Sequence, residues 1–398
     1  MGLLEGLRIL DLADEKASFC SKLFADMGAR VIKVEKPGGD PSRRIGPFLD
    51  KTPDPEKSLF FYYHNANKLG ITLDLEHEEG KKIFLKLLKG ADIVVETFRP
   101  GYLKEIGLDF DSLKGINPKL IWASVTGFGE NGPRSQYRSC DLVASAYGGQ
   151  MYVTGSPSAL PLKAFGQQSY YSASLFAAVG ILLALRKRSQ KGEGEHIDIS
   201  LQESVVSTLD HVMVRFFYEK TTAKRQGSVS WNQSFCILPC NDGHILLAPF
   251  QQWETLVEWM ESEGMAEDLR NEKYREEEYR LAHFDHIIQV LERWTRTHTR
   301  KELFESGQLM RFTWAPICSL KEVLDNPQLK ARGFFVDVDH PEIKTSISYP
   351  GSPYQFSPSS LFRWKQAPLV GEDNVQIYKG ELGLSDEELQ RLSSLGVI

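Results

Sequence analysis

At 398 residues, with 47 basic and 53 acidic side chains and a net charge of −6, the chain has room for two or three domains and is too acidic to be built around a nucleic-acid backbone. Its 41% hydrophobic and 25% charged content excludes a disordered chain and supports a large core. No uninterrupted apolar run approaches the ~20 residues of a membrane span, Met1-Gly-Leu-Leu-Glu-Gly-Leu-Arg8 lacks the features of a signal peptide, and five scattered cysteines read as reduced thiols. The expectation is a cytoplasmic protein with neither membrane nor nucleic acid as partner.

The first third alternates between two periodicities. Leu7–Leu12 is an apolar run of strand length; Ala17–Met27 carries Phe19, Leu23, Phe24 and Met27 at helical spacing and stops at Gly28. Val31–Val34 reads as the next strand, Ile71–Leu75 as a strand, Glu78–Leu88 as a helix, and Ile93–Val95 and Leu120–Val125 as further strands. Strands alternating with helices predict an α/β fold with a mostly parallel sheet, whose ligands bind at the carboxyl ends of the strands. Tyr171–Arg188 is a strongly apolar helix with a basic last turn, followed by the strand His196–Ser200 and a helical stretch to about Tyr218. Lys220–Gly227 is polar and basic, a linker by composition. Beyond it, Ile245–Ala248 reads as a strand after the Asn241-Asp-Gly243 turn, and Gln252–Glu263, Phe284–Thr297 and Lys301–Met310 as helices. From about Gly333 the chain, with Pro350, Pro353 and Pro358, reads as irregular until a closing helix, Ser385–Leu395.

Several motifs carry less than their spelling suggests. Gly127-Phe-Gly-Glu-Asn-Gly132 matches a dinucleotide fingerprint, but it follows the fifth strand and no apolar-periodic helix opens after it. It is a glycine-rich turn whose backbone N–H groups could face an anion, Gly129 among them. Cys236 and Cys240 lack a second ligand pair and read as buried thiols, His283 and His286 lack a third ligand, and no metal is expected. The basic loops say more. Glu35-Lys-Pro-Gly-Gly-Asp-Pro-Ser-Arg-Arg44 follows the second strand, Asn65-Ala-Asn-Lys68 precedes the third and Thr97-Phe-Arg-Pro-Gly101 follows the fourth. Three cationic loops on one sheet suit a polyphosphorylated ligand as well as they suit a mixed-charge surface.

In this order, and together with Ile9-Leu-Asp-Leu12, Ala25-Asp-Met-Gly-Ala-Arg-Val-Ile-Lys-Val-Glu35, Asp141-Leu-Val143 and Asp198-Ile-Ser-Leu201, these loops resemble the class III CoA-transferase family, which includes formyl-CoA and carnitine CoA-transferases and the related α-methylacyl-CoA racemases. The resemblance implies a Rossmann-like large domain built from both chain ends (1–218 and 333–398), a linker at 219–227, a smaller central α/β domain at 228–332, and two chains interlocked as rings. It implies acyl-CoA and a carboxylic acid as substrates. By resemblance, Lys68 and Arg99 hold the CoA nucleotide and phosphates, and Arg43, Asn67 and Asp141 belong to the same binding region.

The departure is as informative as the match. Family transferases carry an aspartate whose carboxylate attacks the thioester and then holds CoA as an acyl thioester; the corresponding slot here is Tyr170. A phenol, with an unperturbed pKa near ~10, cannot become that thioester, and no Asp or Glu occurs between Asp141 and Glu193. The racemase histidine position is Cys140, so that branch loses both bases. Three readings follow. One is a subunit of a heteromeric CoA-transferase, similar to the succinyl-CoA:benzylsuccinate type, whose homologous partner carries the aspartate. The second is a stand-alone CoA-ester isomerase, dehydratase or lyase with Tyr170 or Tyr171 as acid and Gln167, Gln168 and the Gly129 turn as oxyanion donors. The third is a CoA-binding scaffold subunit without catalysis. Tyr152, Phe165, Tyr170 and Tyr171 hint at a bulky acyl group.

Overall fold

Six parallel strands form the frame of the chain: β1 (Arg8–Leu12), β2 (Arg30–Glu35), β3 (Leu69–Thr72), β4 (Ile93–Glu96), β5 (Ile121–Thr126) and β6 (Glu195–Ser200), in spatial order β3-β2-β1-β4-β5-β6. The computed structural model describes residues 2–357 and 364–398, and within these the chain divides into two compact units. The first unit contains the sheet and comprises residues up to Gln150, Lys163–Asp210 and Lys330 onward; the second comprises Met151–Leu162 and His211–Leu329.

Alternation along each strand sends Ile9, Val31, Ile93, Val95, Ile121 and Ala123 to one face and Leu10, Ile32, Val34, Ile71, Val94 and Trp122 to the other. Each face is a separate core, and each fully buried aliphatic or aromatic side chain contributes roughly 1.5–3 kcal/mol. Helix α1 (Ser18–Asp26) packs on the first face. Helix α2 (Leu59–Asn65) is capped by Ser58, whose hydroxyl accepts from Phe61 N at 3.1 Å. Helix α3 (Glu78–Lys89) buries Ile83, Phe84, Leu87 and Leu88 on the second face; Glu78 and Glu79 in its first turn and Lys86 and Lys89 in its last suit its dipole.

Helix α4 (Gln168–Lys191) starts three residues earlier than its apolar pattern predicts, which places Tyr170 inside its first turn. Its sheet-facing side is Ala173, Ala177, Ile181 and Ala184, mostly small residues that bring it close to the strands. Its most apolar 18-residue window has a mean hydropathy of 1.4, so this 24-residue helix is long and apolar enough to cross a membrane by length and composition; here it is a core helix of the first unit, packed against the sheet. Leu175, Phe176, Val179, Leu182 and Leu183 form an exposed apolar stripe along its other side. The helical stretch after β6 is broken near Leu209 into α5 (Leu201–Ser207) and α6 (Asp210–Glu219).

The second unit continues with the hairpin β7 (Cys236–Cys240) and β8 (Gly243–Leu247), joined to the short β9 (Ala315–Pro316). Helices α7 (Trp253–Ser262), α8 (Phe284–Thr295) and α9 (Arg300–Leu309) cover this sheet around Trp253, Trp294, Phe312 and Trp314. Cys236 and Cys240 are buried thiols in that core.

The segment after Gly333, expected to be irregular, forms a hairpin of the first unit, β10 (Phe335–His340) and β11 (Thr345–Pro350), turning at Lys344 in the left-handed region. The alternation Phe335-Val-Asp-Val-Asp-His340 was the signal, masked by the prolines that follow; Pro358 lies outside the described residues. Near the end, Ile377 and Tyr378 enter the second core, and α10 (Asp386–Ser394) begins with a Ser385–Glu388 capping box.

Candidate functional site

The strand order reverses direction between β1 and β4: β2 and β3 lie to one side of β1, and β4 to β6 to the other. At the carboxyl ends of the strands beside this switch point a crevice of about 330 Å³ opens. Its apolar wall is Leu12, Val34, Leu73, Leu75, Phe98 and Tyr102, and its cations are Lys16, Lys36 and Arg99. The loops after β1 and β4 are tied together, since Thr97 Oγ1 donates to Asp14 Oδ1 at 2.8 Å and accepts from Asp14 N at 2.9 Å. Phe98 and Tyr102 lie with their rings 4.9 Å apart. Lys36 pairs with Glu76 at 3.0 Å, and Arg99 Nη1 donates to Glu105 Oε1 at 2.8 Å. Both pairs are more than half exposed, so they hold their cations weakly and leave them open to exchange with an incoming anion. Asp14, Glu35 and Asp40 line the crevice as well, engaged by Thr97, Arg43 and Lys33, so the exchangeable charges at its rim are those of Lys36 and Arg99, which suit an anion beside an apolar surface.

Beneath this crevice lies a buried ionic network. Lys68 Nζ donates to Asp11 Oδ2 at 2.8 Å, Asn65 Oδ1 at 2.9 Å and the Ser18 carbonyl at 3.0 Å. Burial lowers the pKa of this ammonium, and the Asp11 carboxylate opposes that shift. Lys33 pairs with Asp40 at 3.1 Å; burial alone would lower it, but Asp40, Asp11 and Glu35 together raise it. Arg43 forks onto Glu35 at 2.6 and 2.7 Å, reaches Glu56 and the Pro368 carbonyl at 2.8 Å, and lies 3.8 Å over the Phe61 ring. Lys68, Lys33 and Arg43 are all essentially inaccessible. The network fixes the loops after β1 and β2.

The residues singled out from sequence therefore separate into groups. Arg99 lines the crevice. Arg43 and Lys68 are consumed below it. Asn67, at φ +66°, has its amide on Asp26 at 2.7 Å and its carbonyl on Lys365 N at 2.6 Å, stitching the return segment to α1. Lys16, Lys36, Phe98 and Tyr102 were missed as lining residues. Lys36 and Phe98 stood in the quoted loops, but sequence could not show that Arg43 turns inward while Lys36 stays out.

Asp141, Gln168 and Tyr170 meet at the start of α4. Asp141 Oδ1 accepts from Ser169 N at 2.9 Å and Ser169 Oγ at 2.7 Å, and Lys163 pairs with its Oδ2 at 2.8 Å. Gln168 is exposed and donates to the Phe165 carbonyl at 2.9 Å. Tyr170 is 5% exposed. Burial pushes its phenol well above the usual range, the Glu15 carboxylate adds to that, and the Asp141 backbone amide opposes it. Glu15 itself is half-buried, raised by burial and then by Asp14. Tyr171 is different: its hydroxyl lies 3.2 Å from His64 Nε2, while His64 Nδ1 meets the Phe60 carbonyl at 2.9 Å. Burial holds the His64 ring down to about 4, so it is neutral, with Nδ1 donating and Nε2 accepting from Tyr171. Gly129 takes φ +86° in its turn. The neighbouring Glu130 N–H is already shared between both Asp198 oxygens, at 3.0 and 2.9 Å.

With this geometry in place, the comparisons with known proteins decide the family. The model of CoA-transferase family III matches residues 4–374. The chain belongs to CoA-transferase family III. It is 34% identical over 400 residues to the succinyl-CoA:(R)-benzylsuccinate CoA-transferase subunit BbsE of Thauera aromatica, covering 98% of this chain and 97% of that one. To the formyl-CoA:oxalate CoA-transferase of Streptomyces coelicolor it is 33% identical, with 99% of both chains covered. Among solved structures, a CAIB/BAIF family protein from Brucella suis superposes with a TM-score of 0.82 at 29% identity, covering 95% of this chain and 99% of that one.

Proposed function

We propose that this family III chain is a subunit of a CoA-transferase that moves CoA between a thioester such as succinyl-CoA and a carboxylic acid, and that the covalent carboxylate is supplied by a homologous partner chain. The switch-point crevice is the coenzyme site in this reading. Leu73, Leu75, Phe98 and Tyr102 take the flat base, while Lys36 and Arg99 exchange their exposed carboxylates for phosphate oxygens and Lys16, paired with the partly buried Asp14, adds charge beside them. The buried network around Lys68 and Arg43 keeps these loops in place without touching the ligand.

The observation that carries the division of labour is Tyr170. A buried phenol in the first turn of α4, held protonated by its surroundings, is not an acyl acceptor. The exposed apolar stripe of the same helix, from Leu175 to Leu183, supports a second chain packing there. Two relatives are themselves named as subunits, the Thauera protein and a succinyl-CoA–L-malate CoA-transferase beta subunit of Chloroflexus aurantiacus. Mixing the purified chain with a homologue that carries an aspartate in this slot tests the reading. Transfer from succinyl-CoA to an acceptor acid appears only in the mixture; full transfer activity of the chain alone overturns it.

A further inference from the structure

The second unit has a cavity of its own, of about 590 Å³, lined entirely by residues of that unit, and no Asp or Glu lines it. One wall is α6, which presents His211 and Arg215 one turn apart. Both meet the Trp231 indole: the His211 ring stacks on it at 4.5 Å and 19°, and the Arg215 guanidinium lies 4.8 Å from its centre. Trp231 remains 44% exposed beside them. Arg215 Nε donates to Glu219 at 2.7 Å, and its terminal nitrogens make no hydrogen bond among the described residues. Lys224 lines the cavity and makes no hydrogen bond or ion pair among the described residues. The hydroxyl of Thr222 adds a neutral donor. The opposite wall is fixed by Arg225, which donates to the carbonyls of Tyr152, Ser156 and Ala159 at 3.2–3.4 Å, and by Gly227 N on the Gly155 carbonyl at 3.0 Å.

We propose that this cavity binds a carboxylate carried on an aromatic ring. Arg215 and Lys224 take the carboxylate, and the ring lies against the exposed part of Trp231. Lys224 and the terminal nitrogens of Arg215, whose Nε is paired with Glu219, favour an anion; the 44% exposed indole suits a flat apolar body, and the volume falls in the range of small-molecule sites. As the acceptor site of a CoA-transferase, the assignment rests on the reading above; as a carboxylate site, it does not.

Phenylacetate is the probe, titrated into the full-length chain by calorimetry, with phenylacetamide, cyclohexylacetate and acetate as comparisons and CoA titrated separately. The expected result is that phenylacetate binds and that phenylacetamide, which keeps the ring and lacks the charge, binds at least ~10-fold more weakly. The Arg215→Gln/Lys224→Gln variant, checked for an unchanged melting profile, loses at least ~10-fold in phenylacetate affinity. Trp231→Leu erases the preference for phenylacetate over cyclohexylacetate. Equal binding of phenylacetate and phenylacetamide to the wild-type chain overturns the proposal, as does an undiminished affinity in the double variant or no phenylacetate binding at ~10 mM. Absence of CoA binding counts separately, against the CoA-transferase reading.

Discussion

Lys68 and Asp11 face each other across 2.8 Å with neither side chain exposed to solvent, so the most recognisable lysine in the sequence is held as a fixture of the fold. Removing one partner of such a pair strands a buried charge, at a cost of about 3–5 kcal/mol. Lys68→Met is expected to lower the denaturation midpoint accordingly, and Asp11→Asn/Lys68→Met to recover part of the loss. A double variant no more stable than Lys68→Met would place the destabilisation elsewhere.

The crevice cations behave differently. Lys36→Gln and Arg99→Gln each remove an exposed charge, leave the melting temperature nearly unchanged, and weaken CoA binding about 5–10-fold. The loss shrinks as salt is raised, because rim charges are screened. Calorimetric titration of CoA at low and high ionic strength measures both effects. Unaltered CoA affinity in both variants would move the coenzyme away from the switch point.

How much of this could be read from sequence follows from what periodicity encodes. The parallel sheet, the helices Glu78–Lys89 and Phe284–Thr295 and the closing helix were visible because a buried face repeats along the chain. The β10–β11 hairpin was hidden by its proline-rich neighbourhood, and the break at Leu209 by continuous helical composition. At the site, the cationic loops were legible as loops; their side chains were not. Arg43 and Lys36 lie within one loop, and only the tertiary placement of Glu35 and Glu56 turns the first inward. Glu15 carried no sequence signal as a neighbour of Tyr170, since their proximity is created by packing across β1 and α4.

Glu96 gives the fold a pH signature. Burial raises its carboxyl to about 7, although hydrogen bonds from Ser124 and the Phe98 backbone lower it and Glu130 nearby raises it. The folded state therefore holds a proton that the unfolded chain, near 4.5, has released. Stability is fully present below 4.5 and is lost as pH rises through about 7, by roughly 3 kcal/mol at most. Glu96→Gln is expected to flatten the denaturation midpoint between pH 5 and 8 relative to wild type. The same pH slope in both proteins would contradict the assignment.

The stripe on α4 predicts association. Val179→Glu and Leu183→Glu replace side chains that are 55% and 62% exposed, so they cost the folded chain within about 0.5 kcal/mol. On the proposed reading they abolish co-elution with the aspartate-bearing homologue in size-exclusion chromatography with light scattering. Retained co-elution would place the partner on another face.

The most direct test is to look for the covalent intermediate. The isolated chain is incubated with succinyl-CoA, treated with hydroxylamine or borohydride, and mapped by peptide mass spectrometry; the same is done after mixing with the aspartate-bearing homologue. The account predicts no modified carboxylate on this chain in either sample and a modified aspartate on the partner in the mixture. A trapped adduct on this chain alone, with Glu15, whose charge acts on Tyr170, as an acidic candidate, would contradict it.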